Sequence, residues 1–298
     1  WNRIYELADK DQSKLFQDAN KKNITTIYLD ISEYIDIFES DEGKLRDFEN
    51  KILNTINIAK GNSININFLA GNEKWYRSEY KYIPKLLLDF SDRINNRIEK
   101  PVSELQLDIE FYNDVHADLN LKEKSFQYLE MVKEMLTFQK VSNFKINLNL
   151  TIPFFLNSQD YSFNYNTAEK DLFTHLNDLF DEYNSENCFT VMAYRNYIDN
   201  GKDGLFNILD PYFEKLSSFP NRKIYIALET TDITPSKITF YNQSLNTLWK
   251  TIKQLENRYS DKVKGYTINE VDSYTKMPER NIHFINNWLI KIFIDSYI

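Results

Sequence analysis

The order of its predicted elements indicates that this chain is a single (β/α)₈ barrel of the TIM type, spanning residues 1–298. Short β-branched or apolar runs alternate with longer amphipathic runs along the whole sequence. The length of 298 residues is typical of one such barrel, and no linker or repeat divides it. An open, doubly wound sheet is the alternative, but that fold normally carries a glycine-rich phosphate loop, which the 6 glycines do not form.

Seven strands and eight helices are predicted. The strands are short runs rich in Ile, Leu, Val and Phe: Thr25–Ile31, Ser63–Ala70, Glu104–Glu110, Lys145–Ile152, Phe189–Tyr194, Lys223–Glu229 and Gly265–Glu270. The helices follow the 3.6-residue period: Glu6–Asn20, Lys44–Ala59, Lys81–Arg97, Glu123–Val141, Ala168–Tyr183, Leu205–Ser217, Gln243–Tyr259 and His283–Ile294. Because a barrel needs eight strands, we expect the first to end at or just before Trp1-Asn2. Counted from there, Glu104–Glu110 is the fourth strand.

Composition excludes several classes of function. The net charge of −8 and the lack of a basic stripe argue against a nucleic-acid partner. No run of 18 apolar residues indicates a membrane span. The three histidines are far apart in sequence and the single cysteine, Cys188, lies in a predicted strand, so we expect a buried thiol and no metal site. No motif for a cofactor is present, and none is expected.

The sequence starts at Trp1 rather than at a methionine. A cleaved signal peptide is one explanation for this start. On that explanation, a secreted or periplasmic protein is favoured over a cytoplasmic one.

The interior row of the predicted barrel is polar. Side chains alternate along a strand, and the apolar row must face the helices. The opposite row therefore points inward: Tyr28, Asp30, Asn65, Asn67, Gln106, Asp108, Glu110, Asn147, Asn149, Thr151, Tyr225, Ala227 and Glu229. Most barrels fill this row with Val, Ile and Leu. Two alternatives follow: a polar core that satisfies its own hydrogen bonds, or a partly open mouth that holds a polyhydroxylated ligand.

The strongest local signal is the pair of carboxylates in Asp108-Ile109-Glu110. On a continuous strand the two residues share one face, about 7 Å apart. In a dry site, two carboxylates this close do not both ionise easily, so the pKa of one rises. The pair is then suited to acid catalysis, with a protonated member beside a charged one. The alternative is a pair of structural carboxylates bonded to Asn and Tyr neighbours.

Asp108-Ile109-Glu110, together with Met192-Ala193-Tyr194, resembles the family 18, chitinase-type, glycoside hydrolases. In that family the fourth strand reads Asp-x-x-Asp-x-Asp-x-Glu and the sixth reads Met-x-Tyr-Asp. The resemblance implies a TIM barrel that hydrolyses glycosidic bonds, with Glu110 as the general acid. It also implies that Asp108 orients the substrate acetamide, which serves as the nucleophile, and that Tyr194 hydrogen-bonds that group.

Three residues depart from the family pattern. Ser103 and Gln106 replace its first two aspartates, and Arg195 follows Tyr194 where Asp is expected. These replacements keep open a catalytically inactive barrel that binds a sugar or a partner.

A second catalytic scheme pairs Glu110 with Glu229. Retaining barrel glycosidases carry their acid after strand four and their nucleophile after strand seven, and the two residues fit those positions in the predicted strand order. Ile109 stands where that clan usually has Asn. The separation of the two carboxyl groups would distinguish a retaining from an inverting reaction.

Further residues are candidates for contact with a carbohydrate, the expected partner. They lie in the predicted strand ends or the loops that follow them: Tyr28, Asp30, Trp75, Tyr112, Asn149, Tyr194 and Asn269. Trp75 and its neighbour Tyr76 could stack on a sugar ring, or pack against the next helix. The sequence therefore predicts a glycoside hydrolase-like barrel, with Glu110, Asp108 and Glu229 as the catalytic candidates.

Overall fold

The computed structural model describes residues 4–38, 42–116, 118–183, 186–199, 201 and 203–278, and the backbone of 290–293. Strands alternate with helices, as predicted. The strands are β1 Ile24–Asp30, β2 Asn65–Ala70, β3 Glu104–Leu107, β4 Asn147–Pro153, β5 Ser162–Tyr165, β6 Ala168–Asp171, β7 Cys188–Met192, β8 Ile224–Glu229, β9 Val263–Asn269 and β10 Ile290–Phe293. The helices are α1 Asp9–Lys21, α2 Glu33–Phe38, α3 Glu42–Gly61, α4 Ile83–Asn95, α5 Leu121–Ser142, α6 Leu172–Glu182, α7 Leu205–Leu216, α8 Leu245–Tyr259 and α9 Val271–Lys276.

The chain divides into two compact units. The first comprises Trp1–Asp30, Arg46–Asn67 and Thr190–Ile298, and the second comprises Ile31–Leu45 and Phe68–Phe189. In the first unit, β1, β10, β9 and β8 form a parallel sheet in that order. Its strands carry buried apolar rows, such as Ile224, Ile226 and Leu228 on β8. Cys188, at the start of β7, is buried, as predicted.

A C-terminal strand, not an N-terminal one, is the eighth strand of the described chain when the hairpin β5–β6 is left aside. The strand predicted at Trp1-Asn2 lies outside the described residues. Instead, β10 pairs in parallel with both β1 and β9. The helix predicted over His283–Ile294 is therefore wrong over Ile290–Phe293, and its other residues lie outside the described ranges. A short apolar run fits either structure, and here pairing with two neighbouring strands decides.

Because β10 takes the place of the expected N-terminal strand, each strand from β1 to β9, the hairpin aside, has a number one lower than predicted. In chain order and without the hairpin, β3 is the third described strand, and β8 is the sixth. Asp108 and Glu110 therefore follow the third strand, whereas the family 18 motif belongs to the fourth. Glu229 ends the sixth strand, whereas the retaining-glycosidase scheme places its nucleophile after the seventh.

In the second unit, residues 68–70 of β2 pair in parallel with β3, and β3 pairs in parallel with β4, with Phe68 opposite Leu105 and Gln106 opposite Asn149. An antiparallel hairpin, β5–β6, follows β4. The prediction of a helix from Ala168 is wrong over its first four residues, which form β6. The helix begins at Leu172 because the Asp171 side chain accepts a hydrogen bond from the Thr174 N–H and caps it.

Three helix-to-strand loops share one backbone device. Asn23, Ser63 and Asn143 each follow a helix that precedes a strand, and each has a positive φ, between 55° and 63°. Glycine usually holds this left-handed position, but asparagine tolerates it as well. In a chain with only 6 glycines, polar residues thus take this position after three of the described helices.

Candidate functional site

Glu229 lies at the carboxyl end of β8, in the first unit, and is 2% exposed. Its Oε1 accepts hydrogen bonds from the N–H groups of Thr230 (2.7 Å) and Thr231 (2.6 Å) and from the Thr231 hydroxyl (2.7 Å). Its Oε2 accepts one from Asn269 Nδ2 at 2.5 Å. The chain turns directly after β8, so that both following amides point back at the carboxyl group.

Burial raises the pKa of Glu229 above its usual range, although the donors of Thr231, Asn269 and Thr230 lower it. Removal from water disfavours the charged form, and each hydrogen bond to that form favours it. Here burial outweighs four donors. A carboxyl group in this balance can hold a proton at a pH where an exposed glutamate is ionised, as a general acid requires.

Asn269, directly opposite Glu229 on β9, has an unfilled acceptor. Its Nδ2 must donate to the carboxylate, which fixes Oδ1 as the remaining group, and no described residue donates to that buried oxygen. The next residue, Glu270, has a φ of 69°, an uncommon conformation for a residue with a side chain. Such strain is concentrated at functional sites.

The Thr230 hydroxyl links the end of β8 to β9 and to α9. It donates to the Asn269 carbonyl at 2.6 Å and shares a hydrogen bond of 2.7 Å with the Ser273 hydroxyl. Sequence reasoning did not identify Thr230, Thr231 or Ser273 as part of the site. The available signal was the run of hydroxyl residues immediately after a strand that ends in a carboxylate.

Tyr28 and Asp30 lie at the same edge of the first unit's sheet. Tyr28 and Asn269 both pair with Phe293 of β10, so they are level across the sheet, two strand spacings or roughly 10 Å apart. Asp30 is two residues further along β1 and shares the face of Tyr28. The structure therefore brings four predicted residues, Tyr28, Asp30, Glu229 and Asn269, to one carboxyl edge.

Tyr194 lies just beyond β7, at a three-residue turn in which the Arg195 N–H donates to the Ala193 carbonyl at 2.8 Å. Arg195 stands where the family pattern has Asp. Its guanidinium binds Asp203 through Nε (2.8 Å) and Nη2 (2.5 Å). Hydrogen bonds from Lys237 and Arg195 hold the pKa of Asp203 well below its usual range. Arg195 is thus engaged in a loop-bracing ion pair.

Asp108 and Glu110, in the second unit, lie past the end of their strand. β3 ends at Leu107, and the Phe111 N–H donates to the Ile109 carbonyl at 2.9 Å. With φ −80° and ψ 57°, Glu110 is the centre of an inverse γ-turn. Its carboxylate is half-buried and accepts a hydrogen bond from Asn113 Nδ2. The expected strand alternation therefore does not extend to Glu110.

Gly71 fixes the backbone of Asp108. The Asp108 N–H donates to the Ala70 carbonyl at 2.9 Å. This hydrogen bond places Gly71 against the carbonyl group of Asp108. A Cβ added at Gly71 would lie 2.0 Å from the Asp108 carbonyl oxygen. Only glycine permits this approach.

Asp114 is a buried carboxylate that sequence reasoning did not identify. Its Oδ2 accepts hydrogen bonds from Arg77 Nε (2.7 Å) and the Tyr76 hydroxyl (2.9 Å), and its Oδ1 from Arg77 Nη2 (2.5 Å). Burial opposes ionisation, but the hydrogen bonds from Arg77, Tyr76 and His116 prevail and lower the pKa of Asp114. This ion pair braces the segment that follows Glu110.

The aromatic candidates beside this segment are enclosed to different degrees. Trp75 is 6% exposed and Tyr76 is 1% exposed, so both rings lie within the fold. Tyr112 is half-buried and meets Phe111 and Phe155 edge-on, at 5.7 and 5.4 Å between ring centres. Of the three, Tyr112 keeps the largest free surface.

Asn149 belongs to a closed polar network between β3 and β4. Its Nδ2 donates to Gln106 Oε1 at 3.2 Å and to Glu104 Oε2 at 3.5 Å, and Gln106 Nε2 donates to the Thr151 hydroxyl at 2.6 Å. All four residues are buried. Here the inward row satisfies its own hydrogen bonds, the first of the two alternatives stated for it.

Among the described residues, no group of three His, Cys, Asp or Glu side chains is placed to hold a metal ion. None of the helices in the described ranges is long and apolar enough to cross a membrane.

Comparison with known proteins gives a distant structural likeness. No family model matches the chain. No curated protein matches it. Similar solved structures include a family 18 chitinase from Crocus vernus (13% identity, 74% of this chain and 71% of that one, TM-score 0.44). They also include a family 18 chitinase from Cycas revoluta in complex with allosamidin (11%, 87% and 92%, TM-score 0.47) and a 3-keto-D-glucoside 4-epimerase from E. coli (11%, 92% and 92%, TM-score 0.48).

Family 18 chitinases, the family that the strand motifs resemble, are thus among the similar solved structures. At identities of 11–13% and TM-scores below 0.5, the likeness transfers neither an activity nor the role of any residue to this chain.

Proposed function

We propose that this chain is a carbohydrate-active protein on a single (β/α)₈ barrel over residues 1–298, with its ligand at the carboxyl ends of the strands. The observation that carries the proposal is the pair Glu229 and Asn269. Their side chains are adjacent, and Asn269 Oδ1 has no donor among the described residues. Glu229 Oε2 accepts one hydrogen bond and has capacity for a second.

Two neighbouring acceptors suit two neighbouring hydroxyl groups. A sugar ring presents such pairs of donors, and an unfilled buried acceptor costs about 1–3 kcal/mol until a ligand or water supplies the missing bond. Glu270, directly after Asn269, has a backbone φ of 69° at this end of β9. Glu229 therefore acts as a hydroxyl ligand in this proposal, and its raised pKa is a consequence of the same burial.

Catalysis is assigned to Glu110 with Asp108. Glu110 is half-buried at a turn after a strand, so its carboxyl group reaches solvent, as a proton donor to a leaving glycosidic oxygen requires. Asp108, two residues before it, has a backbone fixed against Gly71 and orients the substrate or the Glu110 carboxyl. Tyr112, half-buried in the same unit and two residues after Glu110, is the sugar contact beside it.

The test is a screen of chromogenic N-acetylglucosaminides and glucosides, with calorimetric binding of the same sugars. Glu110→Gln should reduce hydrolysis by roughly a hundredfold or more, since general acid catalysis contributes about that much. Glu229→Gln should weaken sugar binding. Glu169→Gln, an exposed carboxylate of the same unit as Glu110, is the control for the first variant, and exposed Glu214→Gln is the control for the second. An active Glu110→Gln protein rules out the acid assignment.

The second candidate is a catalytically inactive barrel that binds a sugar or a partner. The closed network of Gln106, Asn149 and Thr151 and the Arg195–Asp203 ion pair favour it, because in both places side chains of the family pattern are replaced by structural ones. Binding without turnover of any glycoside, with Glu229→Gln abolishing the binding, would establish this candidate in place of the first.

A further inference from the structure

A cavity outside the strand ends lies between the β5–β6 hairpin and helix α6. Its volume is about 210 Å³. The helix contributes one face, at the spacing of three and four residues: His175, Asp178, Leu179 and Glu182. The hairpin contributes Tyr165, Ala168 and Lys170.

The hairpin geometry follows from its turn. Asn166 and Thr167 both have positive φ, 47° and 78°, as a two-residue hairpin loop requires. Asp171 ends β6 and caps α6 at once, so the hairpin leads into the helix without a linker. Hairpin and helix thus form one local structure with the cavity between them.

One wall of the cavity is aromatic and is held in place. The Tyr165 hydroxyl donates to Glu130 Oε1 at 2.7 Å and accepts a hydrogen bond from Lys133 Nζ at 3.1 Å, which fixes the ring from the α5 side. The His175 ring meets it nearly perpendicularly, with 5.6 Å between ring centres. Leu179 is buried beside them and adds an aliphatic surface.

The lining also carries polar donors and acceptors. His175 Nε2 bonds to the Phe163 carbonyl at 3.0 Å, so this nitrogen carries the proton and Nδ1 is an acceptor in the neutral ring. Lys170 Nζ binds Asp178 Oδ2 at 2.6 Å, and both side chains remain near 40% exposed. Glu182 is exposed at the rim.

We infer that this cavity binds one neutral, polyhydroxylated ring. A lining that combines an aromatic ring and an aliphatic side chain with polar donors and acceptors suits a ring that has C–H groups on one face and hydroxyls at its edge. The Lys170–Asp178 pair balances its own charge, which leaves Glu182 at the rim as the remaining charge of the lining and as an acceptor for a ring hydroxyl. The volume equals that of roughly seven waters, enough for the hydroxylated ring of one hexose.

This site is independent of the strand-end carboxylates and of the catalysis proposed for them. The test is ligand-observed saturation-transfer NMR on the full chain. The probes are D-glucose, N-acetyl-D-glucosamine and myo-inositol, with ethanolamine as a cationic comparison. Ala168→Phe fills the cavity from the hairpin, and Glu182→Gln removes a charged acceptor at the rim. Glu169→Gln is the matched control, because Glu169 is exposed and adjacent to the lining residue Ala168.

We expect at least one ring compound to bind the wild type and the control equally. Ala168→Phe should reduce its affinity at least tenfold, with an unchanged circular dichroism spectrum and melting curve, and Glu182→Gln should weaken it several-fold. The inference is overturned if no ring compound binds, if binding survives Ala168→Phe, or if ethanolamine binds more tightly than every ring compound.

Discussion

The ends of β8 and β3 both carry a carboxylate that the sequence marks as a site residue, but the two environments are opposite. Glu229 is the last residue of its strand, is buried and accepts four hydrogen bonds. Glu110 lies three residues beyond its strand, in a turn, half-buried, with one amide donor. The point at which the strand ends therefore decides whether a carboxylate is enclosed by its own backbone or presented to solvent.

Loss of the Asp114–Arg77 ion pair, which braces the segment after Glu110, should destabilise the protein most. Asp114→Asn removes the charge that pairs with Arg77 and should lower the free energy of unfolding by about 3 kcal/mol, as for other buried ion pairs. Because the pKa of Asp114 is lowered in the folded state, this stability is present above about pH 4 and is lost as the pH falls through the folded pKa. Urea denaturation at several pH values measures it.

Exposed Asp118→Asn, in the same loop, is the control and should change stability by less than about 0.5 kcal/mol. An Asp114→Asn protein as stable as this control would show that the segment after Glu110 does not depend on the brace.

The next effect concerns the contact before Glu110. Gly71→Ala places a methyl group against the Asp108 carbonyl and should destabilise the protein by about 1–3 kcal/mol. Gly61→Ala is a matched control, since nothing lies within 4 Å of a Cβ there, and it should be neutral or stabilising. Thermal unfolding compares the two, and equal effects would contradict the close approach.

A smaller effect is expected at Glu229. Thr231→Val removes the hydroxyl donor to Oε1 and keeps the backbone donor, at a cost of about 1 kcal/mol. The pKa of Glu229 should rise further, because one of the donors that lower it is lost. Chemical denaturation gives the first quantity and carboxyl NMR the second. A lowered pKa would show that the hydroxyl does not favour the charged form.

The smallest effect is the counterpart at Glu110. Asn113→Ala removes the amide donor to a carboxylate that solvent also reaches, and should cost less than about 0.5 kcal/mol. Chemical denaturation of Asn113→Ala and of Thr231→Val under the same conditions compares the two regions. A cost that equals or exceeds that of Thr231→Val would contradict the proposed difference between them.

Much of the fold could be predicted from the periodicity of the apolar residues alone. Strands such as Lys223–Glu229 and helices such as Gln243–Tyr259 agree with β8 and α8 to within two residues, because their apolar patterns repeat over many residues. The secondary structure of the run Ile290–Phe293 could not be predicted from its sequence. A run of four mostly apolar residues fits a helix as well as a strand. Because this run was predicted to be a helix, an additional strand was expected at the N-terminus, and every later strand was numbered one too high.

The site was less predictable because it depends on turns. Pairing of Glu229 with Asn269 follows from strand alternation and register, and both residues were identified. The inverse γ-turn at Glu110 and the capture of Asp114 by Arg77 depend on tertiary contacts that no local pattern encodes. The close contact of Gly71 with Asp108 has the same origin.

The most direct measurement is a carbon-13 NMR titration of the Glu229 carboxyl, assigned by its loss in Glu229→Gln and repeated with a saturating sugar found in the screen. A midpoint above the usual glutamate value of about 4.3 is predicted, since burial outweighs the donors. The sugar should also perturb this resonance. A midpoint at or below 4.3, with no response to any bound sugar, would contradict the assignment of Glu229 and Asn269 as the carbohydrate-binding pair.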